Sequence, residues 1–254
     1  MSPITDPWFY AAAIPAVFFV GLSKGGFGGT FAMLGVPIMA LVISPLQAAG
    51  IMLPILIVMD AVALIAYKGR ADWRSLSILL PAAVLGIGIG WATAAYVNDA
   101  FVILLIGIMS LAFVADYLFK QRKAAGASRH NLPKGTFWGT VAGFTSFISH
   151  TGGPPFQMYM LPLRLAPMLF AGTAVIFFAA VNAIKLVPYF MLGQFDATNL
   201  TTSVTLFPVA LIATLCGVWL VRIVKAETFY SIIYIFMGLI GAKLTYDGLM
   251  AFLP

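Results

Sequence analysis

Two polar, glycine-rich segments interrupt the long apolar stretches of this 254-residue chain, and the first contains Lys24. A lysine at membrane depth costs about 2.5–3.5 kcal/mol on insertion scales, and a site that needs a cation is one reason to bear that cost. Neighbouring glycines let the backbone approach a ligand, and a helix that begins after them would direct its N–H groups and positive dipole end at the segment. The segment therefore predicts an anion site; the alternative is a lysine whose ammonium snorkels to the membrane surface. Its candidate binding residues are Ser23, Lys24, Gly25, Gly26, Gly28 and Gly29.

The second interruption, at 149–155, centres on His150. This side chain could donate to an anion, carry a proton or only satisfy backbone groups. Pro154 suits the first turn of a following helix, where its missing N–H costs nothing. The other histidine, His130, is distant in sequence and Cys216 is the single cysteine, so we expect no metal site and no cofactor. The candidate binding residues here are Ser149, His150, Thr151, Gly152, Gly153 and Gln157.

Three further polar residues lie inside apolar runs. Asp60 is a candidate proton carrier for coupling, or a counter-charge for Lys24. Asn182 occupies the matching place in the second half of the chain, and Lys185 lies three residues later on the same helix face. Asn182 and Lys185 are candidate anion-binding residues; the alternative is a structural ion pair.

The composition is that of a multi-pass membrane protein. Hydrophobic residues make up 62% of the chain and charged residues 9%, whereas soluble domains carry roughly a quarter charged residues. The formal net charge is +6, but the basic residues lie in short loops, where orientation in the membrane accounts for them. We therefore expect membrane lipid and a small anion as partners, and no nucleic acid.

The apolar runs predict an all-α fold of two repeats at 1–119 and 135–254, joined by a basic linker at 120–134. In each repeat a glycine-tipped broken helix pair or hairpin precedes three long transmembrane helices of about 20 residues. Whether the short helices form hairpins or tilted spans stays open. The short runs are 7–22, 30–43, 135–148 and 156–165, and the long ones are 45–67, 75–97, 100–119, 167–191, 200–221 and 228–250.

Charge predicts the orientation of the loops. Lys and Arg concentrate at 68–74, in the linker and at 222–227, which places these segments in the cytoplasm and both termini outside. The 68–74 loop and the 193–199 turn occupy equivalent places in the two repeats but fall on opposite sides. The repeats are therefore predicted to be inverted, an architecture that supports alternating access.

Two G-x-x-x-G motifs, one at 86–90 and one at 139–143, predict close helix packing. The sequence leaves open whether they pack within one chain or between protomers of a homo-oligomer.

Together, these motifs resemble the TauE/SafE family of sulfite and organosulfur-anion exporters. The resemblance lies in the glycine-rich break at 21–29, the S-H-x-G-G-P-P motif at 149–155, and two membrane halves joined by a basic linker. It covers nearly the whole chain. It implies transport of sulfite, sulfonates such as sulfoacetate, or related anions across a bacterial inner membrane, usually outward.

We therefore predict a secondary transporter that binds a small sulfur-containing anion between the two breaks near the membrane midplane, and the resemblance implies that it is an exporter. The sequence has no P-loop, so we expect the membrane potential or an ion gradient to supply the energy. An anion channel or uniporter is the first alternative. The second is an intramembrane hydrolase that uses Ser23 or Ser149 with His150. Adjacent residues rarely present a serine to a histidine correctly, and a triad needs a third group, so we expect no enzyme.

Overall fold

The computed structural model describes residues 3–29, 31–39, 41–93, 96, 99–120, 127–193 and 195–251, and these are mostly helical, with no strand among them. The all-α prediction is therefore confirmed. Single 3₁₀ turns lie at Ala32–Leu34 and Leu161–Leu163. The α-helices in this part of the chain are α1 Pro7–Lys24, α2 Gly35–Met39, α3 Pro45–Ala66, α4 Trp73–Thr93, α5 Asp99–Lys120, α6 Leu132–Ser149, α7 Gly153–Met160, α8 Pro167–Met191, α9 Ala197–Ile223 and α10 Ala226–Met250.

Six of the described helices are long and apolar enough to cross a membrane, namely α1, α3, α4, α8, α9 and α10. With 18 residues, α1 is longer than the sequence predicts. It rises about 27 Å, close to the roughly 30 Å of the hydrocarbon core. By contrast, α7 has eight residues and rises only about 12 Å. The chain is thus a multi-pass membrane protein in which α1 is long enough to span and α7 is not.

The helices form two compact units. The first comprises Met1–Asp72 and Met168–Ile223 and therefore contains α1, α2, α3, α8 and α9. The second comprises Trp73–Pro167 and Val224–Pro254 and contains α4 to α7 and α10. Each unit takes helices from both halves of the sequence. The division of the sequence into two repeats stays a prediction.

In the first unit, α1, α3 and α9 share an apolar core that includes Phe9, Ile55 and Leu206. The helices begin at caps that satisfy their first N–H groups. The Asp6 side chain accepts a hydrogen bond from the Trp8 amide at 2.9 Å, and the Ser44 hydroxyl accepts one from the Gln47 amide at 3.2 Å. These caps fix where α1 and α3 start.

In the second unit, the two G-x-x-x-G motifs pack on each other between α4 and α6. A Cβ atom added to Gly86 would lie 2.0 Å from the Thr140 carbonyl oxygen, and one added to Gly143 would lie 2.2 Å from the Ala83 carbonyl oxygen. The backbones therefore approach closely because neither glycine has a side chain. The predicted packing role is confirmed within the chain, and a homo-oligomer stays a prediction.

Candidate functional site

The first glycine-rich break begins at the last residue of α1, Lys24, and continues as a turn. Gly26, Gly28 and Gly29 have φ values of 140°, 63° and 80°, a region that L side chains rarely adopt. Ser23 joins the two sides of the turn, because its hydroxyl accepts a hydrogen bond from the Phe31 amide at 3.1 Å. The break therefore ends α1 abruptly and fixes the position of Lys24.

No helix N-terminus follows these glycines directly, so the expected dipole contribution at the first break is wrong. A 3₁₀ turn begins only at Ala32, and α2 is five residues long. The positive-φ glycines prevent the helix from resuming. The end that lies beside Lys24 is the carbonyl end of α1, which favours a cation.

Lys24, Asp60 and Asn182 form a buried polar cluster in the first unit. The Lys24 Nζ atom lies 2.6 Å from Asp60 Oδ1, and the Asn182 Nδ2 atom donates to Asp60 Oδ2 at 2.6 Å. Lys24 is 5% exposed and the Asp60 side chain 4%. Lys24 is therefore not a snorkelling lysine at the rim of the unit. Its ammonium is buried in an ion pair with the Asp60 carboxylate, which also accepts a hydrogen bond from Asn182 on α8.

Lys185 extends this cluster along α8. It is fully buried, and its Nζ atom lies 5.9 Å from the centre of the Tyr189 ring. The Lys24 Nζ atom lies 5.5 Å from the centre of the Phe178 ring. Ring faces attract cations, and the four residues Phe178, Asn182, Lys185 and Tyr189 recur at helical spacing on one face of α8. This face of α8 thus carries the buried ammonium of Lys185, and its Phe178 ring stabilises the ammonium of Lys24.

The end of α1 that carries Lys24 packs closely against α9. A Cβ atom on Gly25 would lie 2.5 Å from the Gly217 Cα atom, and one on Gly21 would lie 2.5 Å from the Ala213 Cβ atom. Contacts of this kind leave no room for one helix to slide past the other. The position of Lys24 is therefore fixed by the packing of α1 against α9.

Tyr67, the residue that follows α3, binds the backbone of the first break. Its hydroxyl donates to the Gly25 carbonyl oxygen at 2.5 Å. This hydrogen bond holds the backbone of the break against the end of α3.

The second break lies in the second unit and has different geometry. His150 ends α6 in the left-handed region, with φ 55°. A non-glycine residue in this region is uncommon and is a feature that clusters at functional sites. The Thr151 amide donates to the Thr145 carbonyl oxygen at 3.2 Å, and Gly152 precedes α7, which begins at Gly153 with proline in its first turn. Here a helix does follow the glycines, as the sequence predicts.

The polar residues around this break are buried. His150 is 8% exposed, Thr151 1% and Gln157 0%. The side chain of Ser149 lies outside the described residues. The predicted site residues therefore fall into two groups: Ser23, Lys24, Asp60, Asn182 and Lys185 lie with the first glycines in one unit, and His150, Thr151, Gly152, Gly153 and Gln157 lie in the other.

Sequence reasoning missed the aromatic and backbone contacts of the first group. Phe178 lies one helical turn before Asn182 and Tyr189 one turn after Lys185, which was a usable signal. Tyr67 gave none, because its contact with Gly25 joins residues that are 42 positions apart. In the described part of the chain, no three or more His, Cys, Asp or Glu side chains are grouped so as to hold a metal ion.

Comparison with known protein families gives a match over most of the chain. A family model described as "Sulfite exporter TauE/SafE" matches residues 13–244. No curated protein and no solved structure matches the chain at a significant level. The matched region contains both breaks and the whole buried cluster of the first unit.

Proposed function

Because the chain belongs to the sulfite exporter TauE/SafE family, whose members are transporters, we propose that it exports a small sulfur-containing anion such as sulfite or a sulfonate. The observation that carries this substrate class is the buried cluster of Lys24, Asp60, Asn182 and Lys185. Ionisable groups inside membrane-spanning segments are rare and usually functional. A cluster with two ammonium groups attracts an oxyanion, and Asn182 supplies a further hydrogen-bond donor.

In this proposal Asp60 is the exchangeable partner of Lys24. Desolvation largely offsets the Coulomb attraction in a buried ion pair, so its net contribution to stability is small. Exchanging one anion for another at Lys24 therefore costs little. The substrate oxyanion takes the place of the Asp60 carboxylate, and Asn182 retains the displaced carboxylate through its Nδ2 donor.

The glycines of the first break and the residues of the second break have supporting roles. Gly25, Gly26, Gly28 and Gly29 shape the turn that positions Lys24, together with Ser23. In the second unit, Ser149, His150, Thr151 and Gln157 remain proposed anion-binding residues in their own right, and Gly152 and Gly153 begin α7.

We place the protein in a bacterial inner membrane with both termini outside, as the distribution of Lys and Arg favours. An inside-negative potential drives an anion outward by about 2.3 kcal/mol per charge for each 100 mV. Alternating access between two inverted repeats would make the buried cluster accessible from one side at a time.

Counterflow in proteoliposomes tests this function. Vesicles loaded with unlabelled sulfite should accumulate labelled sulfite transiently and with saturation, and chloride should compete weakly. Lys185→Gln should abolish most of this exchange, whereas Lys243→Gln, which changes an exposed lysine of α10, should leave it intact. Flux that does not saturate would indicate a channel, and full exchange in Lys185→Gln would remove the cluster from the transport path.

A further inference from the structure

We propose that the buried charges of the first unit select an anion that brings one net negative charge. Singly charged sulfur oxyanions, such as hydrogen sulfite and alkanesulfonates, are then preferred over doubly charged ones. This inference rests on the proposed function and specifies the substrate class of the same site. It follows from a count of charges, from their burial and from the contacts between them.

The charge count takes the buried side chains in the described part of the first unit in their ordinary charged forms. Its buried charged side chains are Lys24, Asp60 and Lys185. Two ammonium groups and one carboxylate leave one positive charge. Neither α2 nor α9 adds a buried charged side chain to this described set, and the remaining charged residues of the unit are exposed or half-buried, namely Asp6, Lys68, Arg70, Asp72, Asp196 and Arg222.

Two of the three charges are in direct contact, and the third lies on the helix that binds the same carboxylate. Asp60 binds Lys24 through one oxygen and Asn182 through the other. Lys185 lies one helical turn beyond Asn182 on the same buried face of α8, where the Tyr189 ring favours its charged form. Because all three charges are buried, a substrate held at Lys24 experiences them with little screening.

The net charge of the cluster with its substrate bound then determines which substrate is preferred. A buried charge without compensation is strongly unfavourable. A monoanion brings the cluster to neutrality whether Asp60 or the substrate contacts Lys24. A dianion leaves one negative charge buried, unless a proton enters with it on the substrate or on Asp60. Discrimination should therefore be greatest at alkaline pH, where protons are scarce.

The wild-type protein gives the first test. Ethanesulfonate and ethanedisulfonate share the sulfonate group and differ by one charge, and hydroxyethanesulfonate is a singly charged control for length. In counterflow of labelled methanesulfonate, which stays singly charged at alkaline pH, both singly charged sulfonates should compete about tenfold or more better than the disulfonate. Equal or better competition by the disulfonate would overturn the inference without any substitution.

Charge-changing variants give the second test. Asp60→Asn raises the buried charge to two, so the ratio of disulfonate to monosulfonate competition should rise by about tenfold or more. Adding Asn182→Asp to this variant places the carboxylate at position 182, on the hydrogen-bond partner of residue 60. The net buried charge then returns to one, so the wild-type ratio should return. Asp247→Asn, which neutralises an exposed carboxylate in an ion pair with Lys243, should not change the ratio. An Asp60→Asn carrier that transports with the wild-type ratio would contradict the inference.

The outcomes separate this inference from the function on which it rests. If the wild type exchanges none of these anions, the proposed function itself fails. If it exchanges them irrespective of charge, only the valence rule fails. If Asp60→Asn does not fold, which a shifted size-exclusion profile would reveal, the competition by the wild type decides alone.

Discussion

Lys24 and Asp60 are at once an ion pair inside a membrane protein and the proposed site of exchange. An isolated binding lysine could be removed with little effect on folding. Lys24 cannot, because its removal leaves the Asp60 carboxylate buried without its counter-charge, although Asn182 still donates a hydrogen bond to it. Its structural and binding roles must therefore be separated by neutralising both partners together.

We predict that Lys24→Ala lowers the free energy of unfolding by about 3–5 kcal/mol, because it leaves a buried carboxylate without its counter-charge. The double variant Lys24→Gln/Asp60→Asn should recover most of this loss. The control Lys243→Ala breaks an exposed i,i+4 pair and should cost only about 0.3–0.5 kcal/mol. Chemical denaturation in detergent measures all three, and equal stability of Lys24→Ala and Lys243→Ala would refute the prediction.

Asp60 is also the proposed site of proton uptake when a doubly charged anion is carried. We predict that Asp60→Asn flattens the dependence of ethanedisulfonate flux on pH, because an amide cannot take up the proton that a carboxylate takes and the disulfonate itself does not change charge. The measurement is initial flux into proteoliposomes across a series of pH values, with Asp247→Asn as the control. If the dependence persists in Asp60→Asn, the proton is carried by another group, and His150 becomes the candidate to test.

The sequence identified the members of the buried cluster and gave Asp60 either as a proton carrier or as a counter-charge for Lys24, without deciding between the two roles. Asp60, Asn182 and Lys185 are conspicuous because polar residues in apolar runs must have a reason to be there. That Asp60 contacts Lys24 depends on how α3 packs beside α1, which hydrophobicity does not encode. The helical spacing of Phe178 and Tyr189 from Asn182 and Lys185 was a usable signal, but it was easily overlooked because aromatic residues are common throughout the chain.

At the scale of helices, glycines decide how closely neighbours approach. On α4, a Cβ atom added to Gly86 would lie 2.0 Å from the Thr140 carbonyl oxygen, whereas nothing lies within 4 Å of one added to Gly88. Gly86 and Gly88 are two residues apart on the same helix. They therefore form a matched pair that separates close packing from helix propensity.

We predict that Gly86→Ala destabilises the protein by about 1–3 kcal/mol, because α4 and α6 must move apart to admit the methyl group. Gly88→Ala should be neutral or stabilising by up to about 1 kcal/mol, because alanine restricts the unfolded chain and favours the helix. Thermal unfolding in detergent compares them. Equal midpoints for the two variants would mean that the α4–α6 contact is looser than the structure shows.

Apolar runs located the helices but not all of their ends. The run at 135–148 predicted a start three residues late, because α6 begins at Leu132 with polar residues in its first turn. The Asn131 side chain accepts from the Lys134 amide at 2.9 Å and caps it. Similarly, α1 continues to Lys24, since the polar end of this helix is buried and paired. Hydrophobicity underestimates helices whose ends are capped or functional.

At the scale of the whole molecule, the two units show a corresponding pairing of helices. In the first unit α1 packs against α9, and in the second α6 packs against α4. In the predicted repeats α6 corresponds to α1, and α4 corresponds to α9. This correspondence supports two repeats that exchange helices, and the opposite orientation of the repeats stays a prediction.

Labelling of single cysteines tests that orientation. In a Cys216→Ser background, we predict that Asp196→Cys reacts with a membrane-impermeant maleimide added outside intact cells. Lys68→Cys should react only after the membrane is opened, because the basic loop is cytoplasmic. Both positions are exposed, so reactivity reports the side of the membrane. Labelling of both from the same side would exclude inverted repeats.

The most direct test of the account is calorimetric titration of sulfite into purified protein that carries matched double substitutions. Lys24→Gln/Asp60→Asn neutralises the buried pair, and Lys243→Gln/Asp247→Asn neutralises the exposed pair of the same residue types. The account predicts that the first variant folds but loses sulfite binding, while the second binds as the wild type does. Wild-type affinity in a folded Lys24→Gln/Asp60→Asn protein would show that the anion binds elsewhere.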